Sequence, residues 1–562
     1  MSKKRVVAVF LVVVLCMSLL ASCGDKSKDN NLTTNSGSQT SDNSNSNNTS
    51  NDNTSSSNNN NNNTAQTNNG SNSQQQQPAP AEEVVFYGVC TFEETWWDPA
   101  LYMGINDANL ASAIFENLVM LQEDGSVTPW LAESWDVSAD GLAYTFHLRK
   151  GVQWHKGYGE FTSEDVKFSL ERHLDPAVAS VNAENLHMAN IKSIDCPDPY
   201  TVVLNLNQID VDLVFRLAMY YGIIVCKAHN DRDGVESMNK DPIGTGPFVF
   251  DGGTLGLRTE VVRNREWWGD FTGNLDRVVS TYISDTNTIF AAFDNGELDS
   301  IGLYDREKMY EYQSKGYEVS YNAVRQLLYI GVNMQLPPFD DPKVREAFFY
   351  AIDVQYYLDN LFYGQETAVG TYVPPTCKYA LRDYFKFDYN IEKAKQLLAE
   401  AGYPNGCPMT MWSANDALGQ PPAIIAQDML SRAGFIIDMQ NVEFGVFIGE
   451  VRDGAAEMWV LYNDTDTTGD GVIIRYMSEF YPGNNWCGVL DAEYDSYVAA
   501  GMAAKTEQEK YDNYYAAQRR LMDLQVVFPV ATNSMGRVSQ KNVTGFVAEA
   551  DMGWRPTGVV KS

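Results

Sequence analysis

The segment 129–172 constrains the fold most, because its pattern predicts a β-hairpin followed directly by a helix. Apolar and polar residues alternate on both sides of Asp140 and Gly141, as in half-buried strands joined by a tight turn. The alternating apolar residues are Trp135, Val137, Tyr144, Phe146 and Leu148. Thr162, with Asp165 three residues later, predicts a capped helix start. The segment therefore predicts a strand–turn–strand–helix unit.

Composition places the chain among acidic globular proteins. Its 562 residues, 44% hydrophobic and 20% charged, are enough for two or three subdomains with sizeable cores. A formal charge of −32 argues against binding to nucleic acid, or to anionic lipid through a basic face. The acidity favours solubility.

The N-terminus carries a predicted export and lipidation signal. Lys3, Lys4 and Arg5 precede a short apolar run. Residues 20–23, Leu-Ala-Ser-Cys, resemble a bacterial lipobox. We expect residues 1–22 to be a lipoprotein signal peptide and Cys23 to carry the lipid, which would hold the protein outside the cytoplasm on the bacterial cell membrane.

Residues 23–83 follow as a polar segment rich in Asn, Ser and Gln. Such a segment cannot bury enough apolar surface to offset the entropy cost of ordering it. We predict a disordered tether. Beyond it, apolar periodicity predicts a helix from Asp341 to Gly364, and another from Asn390 to Gly402.

Several motifs occur together in one order along the chain. They are the segment 129–172, then IGTGPF at 243–248, NGELD at 295–299, DPKVREA at 341–347 and EKAKQLL at 392–398. Together they resemble the family-5 extracytoplasmic solute-binding proteins of bacterial ABC importers, which bind oligopeptides, dipeptides and nickel complexes. The resemblance covers about 84–545.

The resemblance implies an α/β fold, a two-lobed periplasmic-binding-protein clamshell with an extra subdomain and a two-strand hinge. It implies the following division of the chain. Lobe I would take 84–121, 244–330 and 535–562, its extra subdomain 122–243, and lobe II 331–534.

A peptide ligand brings an ammonium group that must be paired with a carboxylate when it is enclosed. In the family's peptide binders an Asp after a lobe II strand does this, in a D-x-x-D-P-like segment. Asp464 is our first choice here and Asp466 our second, although the D-P pair is missing. The alternative is a solvated acidic turn. The same loop faintly resembles a calcium loop, but Met477 stands where the closing Glu would be, so we predict no metal.

Aromatic residues are candidates for pocket walls. Trp96, Trp97 and Trp459 could stack on a ligand, and core packing is the alternative. The resemblance implies that Tyr329 and Asn333, near the second crossover, contact the ligand backbone.

The sequence thus predicts a substrate-binding lipoprotein, not an enzyme. It would capture a short peptide and deliver it to an ABC permease with its ATPase complex, as a monomer without a cofactor. One alternative is an oligosaccharide receptor of the same family; 11 Trp and 31 Tyr suit sugar stacking. A nickel-complex binder is disfavoured by only five His. The remote alternative is a secreted hydrolase such as a two-carboxylate glycosidase, although no GxSxG or HExxH occurs.

Overall fold

The structure, a computed structural model, describes residues 82–91, 97–102, 110–122, 125–254, 256–322, 325–384, 388–416, 418–546, 548–549 and 553–562. All of them belong to the compact unit Pro80–Ser562. The predicted signal peptide, Cys23, the tether up to residue 81 and Trp96 lie outside the described residues, and Asp464 is described through its backbone.

The strands are listed here in chain order. They are β1 Val85–Cys90, β2 Glu116–Asn117, β3 Val119–Leu121, β4 Val127–Pro129, β5 Ala132–Val137, β6 Ala143–Leu148, β7 Ile191–Asp198, β8 Thr201–Leu206, β9 Ile223–Ile224, β10 Phe248–Thr254, β11 Arg258–Arg263, β12 Arg277–Tyr282, β13 Ser300–Leu303, β14 Val319–Asn322, β15 Gln326–Val332, β16 Cys407–Ala414, β17 Phe435–Val442, β18 Met458–Asp464, β19 Val527–Thr532, β20 Met535–Ser539, β21 Val543–Thr544, β22 Ala548–Glu549, β23 Gly553–Trp554 and β24 Val560–Lys561.

The α-helices alternate with these strands. They are α1 Ala111–Ile114, α2 Ser163–Glu171, α3 Leu213–Leu217, α4 Lys227–Asp233, α5 Thr286–Asp294, α6 Arg306–Ser314, α7 Pro342–Ala351, α8 Val354–Asn360, α9 Ile391–Glu400, α10 Gln420–Arg432, α11 Phe444–Arg452, α12 Asp470–Ile474, α13 Ala492–Met502 and α14 Glu507–Leu524.

The predicted hairpin and capped helix are confirmed. Strands β5 and β6 pair antiparallel, with Trp135 opposite Phe146. At the other end of the unit, the backbone N–H of Thr162 donates to the Asp165 carboxylate at 2.9 Å and closes a capping box on α2. Val137 is 49% exposed, because β5 is the edge strand of its sheet and turns one face to solvent.

The helix predicted after Asn390 is confirmed, whereas the prediction of one helix from Asp341 to Gly364 is wrong. Helix α7 starts after its Asp341 cap but ends at Ala351, and Ile352 has an extended backbone. Asp353 then accepts a hydrogen bond from the backbone N–H of Tyr356 and caps a separate helix, α8. A second capping residue inside the apolar pattern therefore divides it into two helices.

Four larger sheets organise the described chain. Their strand orders are β1-β12-β11-β10, β13-β20-β14, β5-β6-β8-β7 and β17-β16-β18-β15-β19. One hydrophobic core lies around each sheet. The largest core contains residues from Leu327 to Ala531, and another contains residues from Leu118 to Ile243. Each of the remaining two cores combines residues that precede the largest core in the sequence with residues that follow it.

Two adjacent crossovers join the three-stranded sheet to the five-stranded sheet. The chain leaves β14 to enter β15, and it returns from β19 to β20. Strand β15 pairs with β19, and β14 pairs with β20, so the two crossovers run side by side. This is the two-strand hinge of the predicted clamshell, and the fold class is confirmed. We propose the lobe boundaries given above as the division of this structure.

The cysteines of the described chain form no disulfide. Cys90, Cys196, Cys226, Cys377, Cys407 and Cys487 are all free. Burial raises the pKa of the Cys226 and Cys407 thiols to about 12, so both are held as uncharged core residues.

Candidate ligand site at the junction of the lobes

A buried ion pair fixes one hinge crossover. Arg306, the first residue of α6, lies 2.5 Å from the carboxylate of Glu366, and their side chains are 8% and 4% exposed. Glu366 also accepts hydrogen bonds from the backbone N–H of Ser534 at 2.6 Å and from the Thr532 hydroxyl at 3.2 Å. The crossover 533–534 is thereby held between groups from both sides of the hinge.

The acidic loop after β18 caps a helix. The carboxylate of Asp466 accepts from the backbone N–H groups of Thr468 at 3.0 Å, Gly469 at 2.8 Å and Gly471 at 2.6 Å. Thr468 and Gly469 lie directly before α12 and Gly471 lies in its first turn, where N–H groups lack partners within the helix. The structure thus uses the second-choice acid, Asp466, to organise the loop.

Asp464 ends strand β18 at the hinge. Its backbone pairs with Gln326, the first residue of β15 and the residue that follows the crossover from β14. The predicted first-choice acid therefore lies at the end of the five-stranded sheet where the crossover from β14 enters it.

The predicted lobe II residues Tyr329, Trp459 and Asn333 lie in the interior. The Trp459 indole N–H donates to the Tyr329 hydroxyl at 3.2 Å, and the two side chains are 1% and 2% exposed. Asn333 is fully buried; its amide donates to the Gly454 carbonyl at 3.1 Å. The reason is the central position of β15 and β18 in the sheet, where large side chains pack against the surrounding helices.

The predicted lobe I residue Trp97 is also a core residue. It is 2% exposed and lies edge-on to Phe250, with ring centroids 5.9 Å apart. The next residue, Asp98, makes a two-point ion pair with Arg172, at 2.6 Å for each contact. Trp97 and Asp98 therefore connect the first sheet, through Phe250, to Arg172 at the C-terminal end of helix α2.

The IGTGPF loop has a packing role as well. Thr245 donates to the buried carboxylate of Glu116 at 2.8 Å, together with the indole N–H groups of Trp130, Trp267 and Trp268. Burial raises the pKa of Glu116, although the charge of Arg555 and the hydrogen bonds from Trp268, Thr245 and Trp130 partly oppose the shift. Thr245 of the loop and three tryptophans therefore all donate hydrogen bonds to one buried carboxylate.

Charged side chains join the subdomain around Asp212 to the lobe II core. The Asp212 carboxylate lies 2.7 Å from the ammonium groups of Lys378 and Lys510, and it accepts a hydrogen bond from the Tyr379 hydroxyl at 2.5 Å. The side chains of Asp212, Lys378 and Lys510 are 1%, 6% and 9% exposed. Burial alone would raise the pKa of Asp212, but the two ammonium groups outweigh it and lower this pKa.

Lys510 extends this cluster to Asp470, the first residue of α12, at 2.9 Å. Burial raises the pKa of Asp470 to about 6; Lys510 opposes the shift, and the charges of Asp212 and Asp466 add to it. The sequence had not indicated this cluster, because Asp212 and Lys510 are 298 residues apart and neither stands in a distinctive motif.

Arg475 is a further polar residue that the sequence analysis missed. It donates to the Asn463 side chain at 2.8 Å and lies 5.0 Å over the Trp486 ring. The described residues include no group of three or more His, Cys, Asp or Glu that could hold a metal ion. Nor does any helix in the described part have the length and apolar character needed to cross a membrane.

Two lobes on a two-strand hinge, with charged contacts across their junction, define a solute-binding protein of the clamshell class. The family model for bacterial extracellular solute-binding proteins, family 5 (middle region), matches residues 126–484. The chain belongs to this family, whose members serve ABC importers.

Characterised relatives differ in ligand. The chain is 29% identical to the glutathione-binding protein GsiB of Escherichia coli over 457 residues, 79% of this chain and 88% of that protein. It is 33% identical to heme-binding protein A of Haemophilus influenzae over 345 residues, 56% of this chain and 61% of that protein. The structure of DppA from Helicobacter pylori in complex with the peptide STSA is 26% identical, with a TM-score of 0.62, covering 85% of this chain and 98% of that one.

Proposed function

We propose that this protein is the lipid-anchored receptor of an ABC importer, and that it captures a short peptide between its lobes and delivers it to the permease. The observation that carries the proposal is the pair of adjacent crossovers between β14 and β15 and between β19 and β20. Such a hinge allows a ligand that contacts both lobes to favour closure. The relatives that bind glutathione and the peptide STSA support a peptide as the ligand.

In this proposal Asp464 pairs with the ligand's ammonium group. It ends β18 beside the hinge, whereas Asp466 already accepts hydrogen bonds from the backbone N–H groups of Gly469 and Gly471 at the start of α12. Tyr329, Asn333 and Trp459 would support the site from the sheet interior, and Trp96 and Trp97 from the lobe I side. An enclosed ammonium without a carboxylate would be strongly disfavoured.

Anchoring through Cys23 after removal of residues 1–22 is part of the proposal, as is a monomer that binds and releases its ligand without chemistry. Substitution of Cys23 by Ser should abolish fatty-acid labelling and release the protein from the membrane fraction. Retained labelling would show that the lipid is attached elsewhere.

An oligosaccharide ligand has less support than a peptide. Sugar stacking would need the rings of Trp96, Trp97 and Trp459. Trp97 is only 2% exposed and Trp459 only 1% exposed. A ring with so little accessible surface offers no face to a sugar in this conformation. The remote hydrolase alternative would be revealed by product formation during incubation with peptides or glycans.

Native mass spectrometry of the purified protein, followed by denaturation to release its contents, tests the ligand class. A mixture of short peptides is the expected result. A single glycan mass, or heme, would contradict a peptide receptor while leaving a family-5 receptor intact.

A further inference from the structure

A buried contact joins the extra subdomain to lobe II without passing through the hinge. Asp212 directly precedes helix α3, whose apolar residues pack in the core that contains residues from Leu118 to Ile243. Its carboxylate lies 2.7 Å from the ammonium groups of Lys378 and Lys510, beside tyrosines of the largest core. Between Ile243 and that core the chain forms β10 to β14 and then crosses the hinge. The contact is therefore a second connection between the lobes, separate from the two crossovers.

The extra subdomain holds Asp212 in place by contacts of its own. The backbone N–H of Asp212 donates to the Asp210 carboxylate at 3.0 Å, and its carbonyl accepts from the backbone N–H of Arg216 at 2.8 Å. The Asp210 carboxylate lies in turn 2.8 Å from Nδ1 of His187 and 3.6 Å from Nε of Arg216. All of these partners belong to the subdomain itself, which thus presents the Asp212 carboxylate on a turn that does not depend on lobe II.

Lobe II positions the two lysines in a similar way. The backbone N–H of Lys378 donates to the Thr467 carbonyl at 3.1 Å, which attaches this lysine to the acidic loop after β18. The ammonium group of Lys510 lies 2.9 Å from the Asp470 carboxylate and 4.9 Å from the centroid of the Tyr379 ring. The side of the contact that lobe II supplies is thus built on the loop of the candidate ligand site.

Each lysine has a second carboxylate within lobe II. Lys378 lies 3.0 Å from Glu507, and Lys510 lies 2.9 Å from Asp470. Separating a buried ion pair is costly when a charge is left enclosed without a partner. Here each ammonium group would keep an acid of its own lobe and Asp212 would pass into water, so separation leaves no charge enclosed and unpaired. The contact therefore has the property that a reversible closure requires.

We propose that Asp212, Lys378 and Lys510 form a latch that holds the lobes closed in the absence of ligand. The latch must separate before a ligand can enter, so the affinity measured for any ligand is reduced in proportion to the fraction of molecules that are open. This inference rests on the proposed entry of a ligand between the lobes, but not on that ligand being a peptide. It differs from closure driven by ligand alone, in which the empty protein would be open.

The test measures the radius of gyration of the full chain by small-angle X-ray scattering. Unfolding and refolding first remove any bound ligand, and native mass spectrometry confirms the empty mass. Asp212→Asn should shift the radius of the empty protein to a larger value, because a neutral amide does not compensate two ammonium groups and water does so once the lobes separate. Asp98→Asn is the matched control. It breaks a pair with Arg172 that is also buried but does not reach lobe II, so the radius should remain that of the wild type.

A second variant separates opening from unfolding. Lys378→Met removes one contact of the latch and frees Glu507, which is already 52% exposed. It should shift the radius in the same direction as Asp212→Asn but by less, while the far-ultraviolet circular dichroism remains that of the wild type. This variant decides the question if Asp212→Asn does not fold.

Three results would overturn the inference: an unchanged radius in both latch variants, an equal increase in Asp98→Asn, or a wild type whose radius increases when it is emptied. Each would leave the proposed receptor standing, because capture between the lobes does not require a latch. Failure of the proposed function would be seen separately, as a natively purified wild type that releases no peptide on denaturation, whatever the radii show.

Discussion

The carboxylate of Asp212 lies 2.7 Å from the ammonium group of Lys510, which is 298 residues further along the chain. The same carboxylate lies 2.7 Å from Lys378. These contacts join a subdomain built from early residues to the core of lobe II. Both ammonium groups share the one carboxylate of Asp212, so the stability of this junction depends on that residue.

Substitution of Asp212 by Asn should destabilise the folded protein strongly. Two ammonium groups would remain enclosed without their shared carboxylate, a loss of about 3–5 kcal/mol for a broken buried pair. Thermal unfolding measures it, with Asp136→Asn as an exposed control. Combining Asp212→Asn with Lys510→Met should cost less than the sum of the two single changes. An unchanged unfolding temperature in Asp212→Asn would contradict the role of the cluster.

Asp470 should make stability fall as pH rises from about 4 to about 6. Its pKa in the folded protein is raised from 3.8 to about 6, so the folded state retains a proton that the unfolded chain has already lost. The stabilisation is therefore present at low pH and is lost through this window. Unfolding temperatures measured against pH should show this decline in the wild type and not in Asp470→Asn.

Asp491 supplies a control of opposite sign. Hydrogen bonds from Arg520 lower the pKa of Asp491, despite burial. The stabilisation that Asp491 contributes is therefore present above its ordinary pKa and is lost as the pH falls below that value. Asp491→Asn should flatten the acid side of the plot of unfolding temperature against pH. Identical profiles for both variants would show that neither carboxylate governs the pH dependence.

Replacement of Gly331 by Ala should disturb the centre of lobe II. A Cβ atom there would lie 2.4 Å from the Trp459 ring, and overpacking of this kind costs about 1–3 kcal/mol. Gly449→Ala is the matched control, because a Cβ atom there meets nothing within 4 Å on helix α11. It should stabilise by about 0.5–1 kcal/mol through helix propensity. Equal unfolding free energies for the two variants would contradict the packing described here.

Substitution of Asp464 by Asn should weaken binding of peptides that carry a free amino group by about tenfold to a hundredfold. Binding of the same peptides after amino-terminal acetylation should change little, because they bring no ammonium group. Asp466→Ala is the comparison: it should lower stability by about 0.5–2 kcal/mol, as loss of a helix cap does, without selectivity for the free amine. If Asp466→Ala instead selectively weakened binding of the free-amine peptides, Asp466 rather than Asp464 would bind the ammonium group.

Local elements were predictable from nearby residues. The Asp140–Gly141 turn and the Thr162 cap were read correctly because their hydrogen bonds join residues only a few positions apart. The break between α7 and α8 was missed, since the capping by Asp353 competes with an apolar pattern that continues through it. The hydrogen bonds of Asp466, our second choice for a ligand contact, were not predicted, because its partners at the start of α12 come together only once that turn forms.

The sequence by itself determined the hairpin, the capped helices and, through its ordered motifs, membership of a two-lobed family. Only the tertiary structure decided that Trp97 and Trp459 are core residues and that Asp212 meets Lys378 and Lys510. The physical reason is distance along the chain. Turns and caps are set by interactions between near neighbours, whereas burial and charge pairing depend on which distant segments the fold brings together.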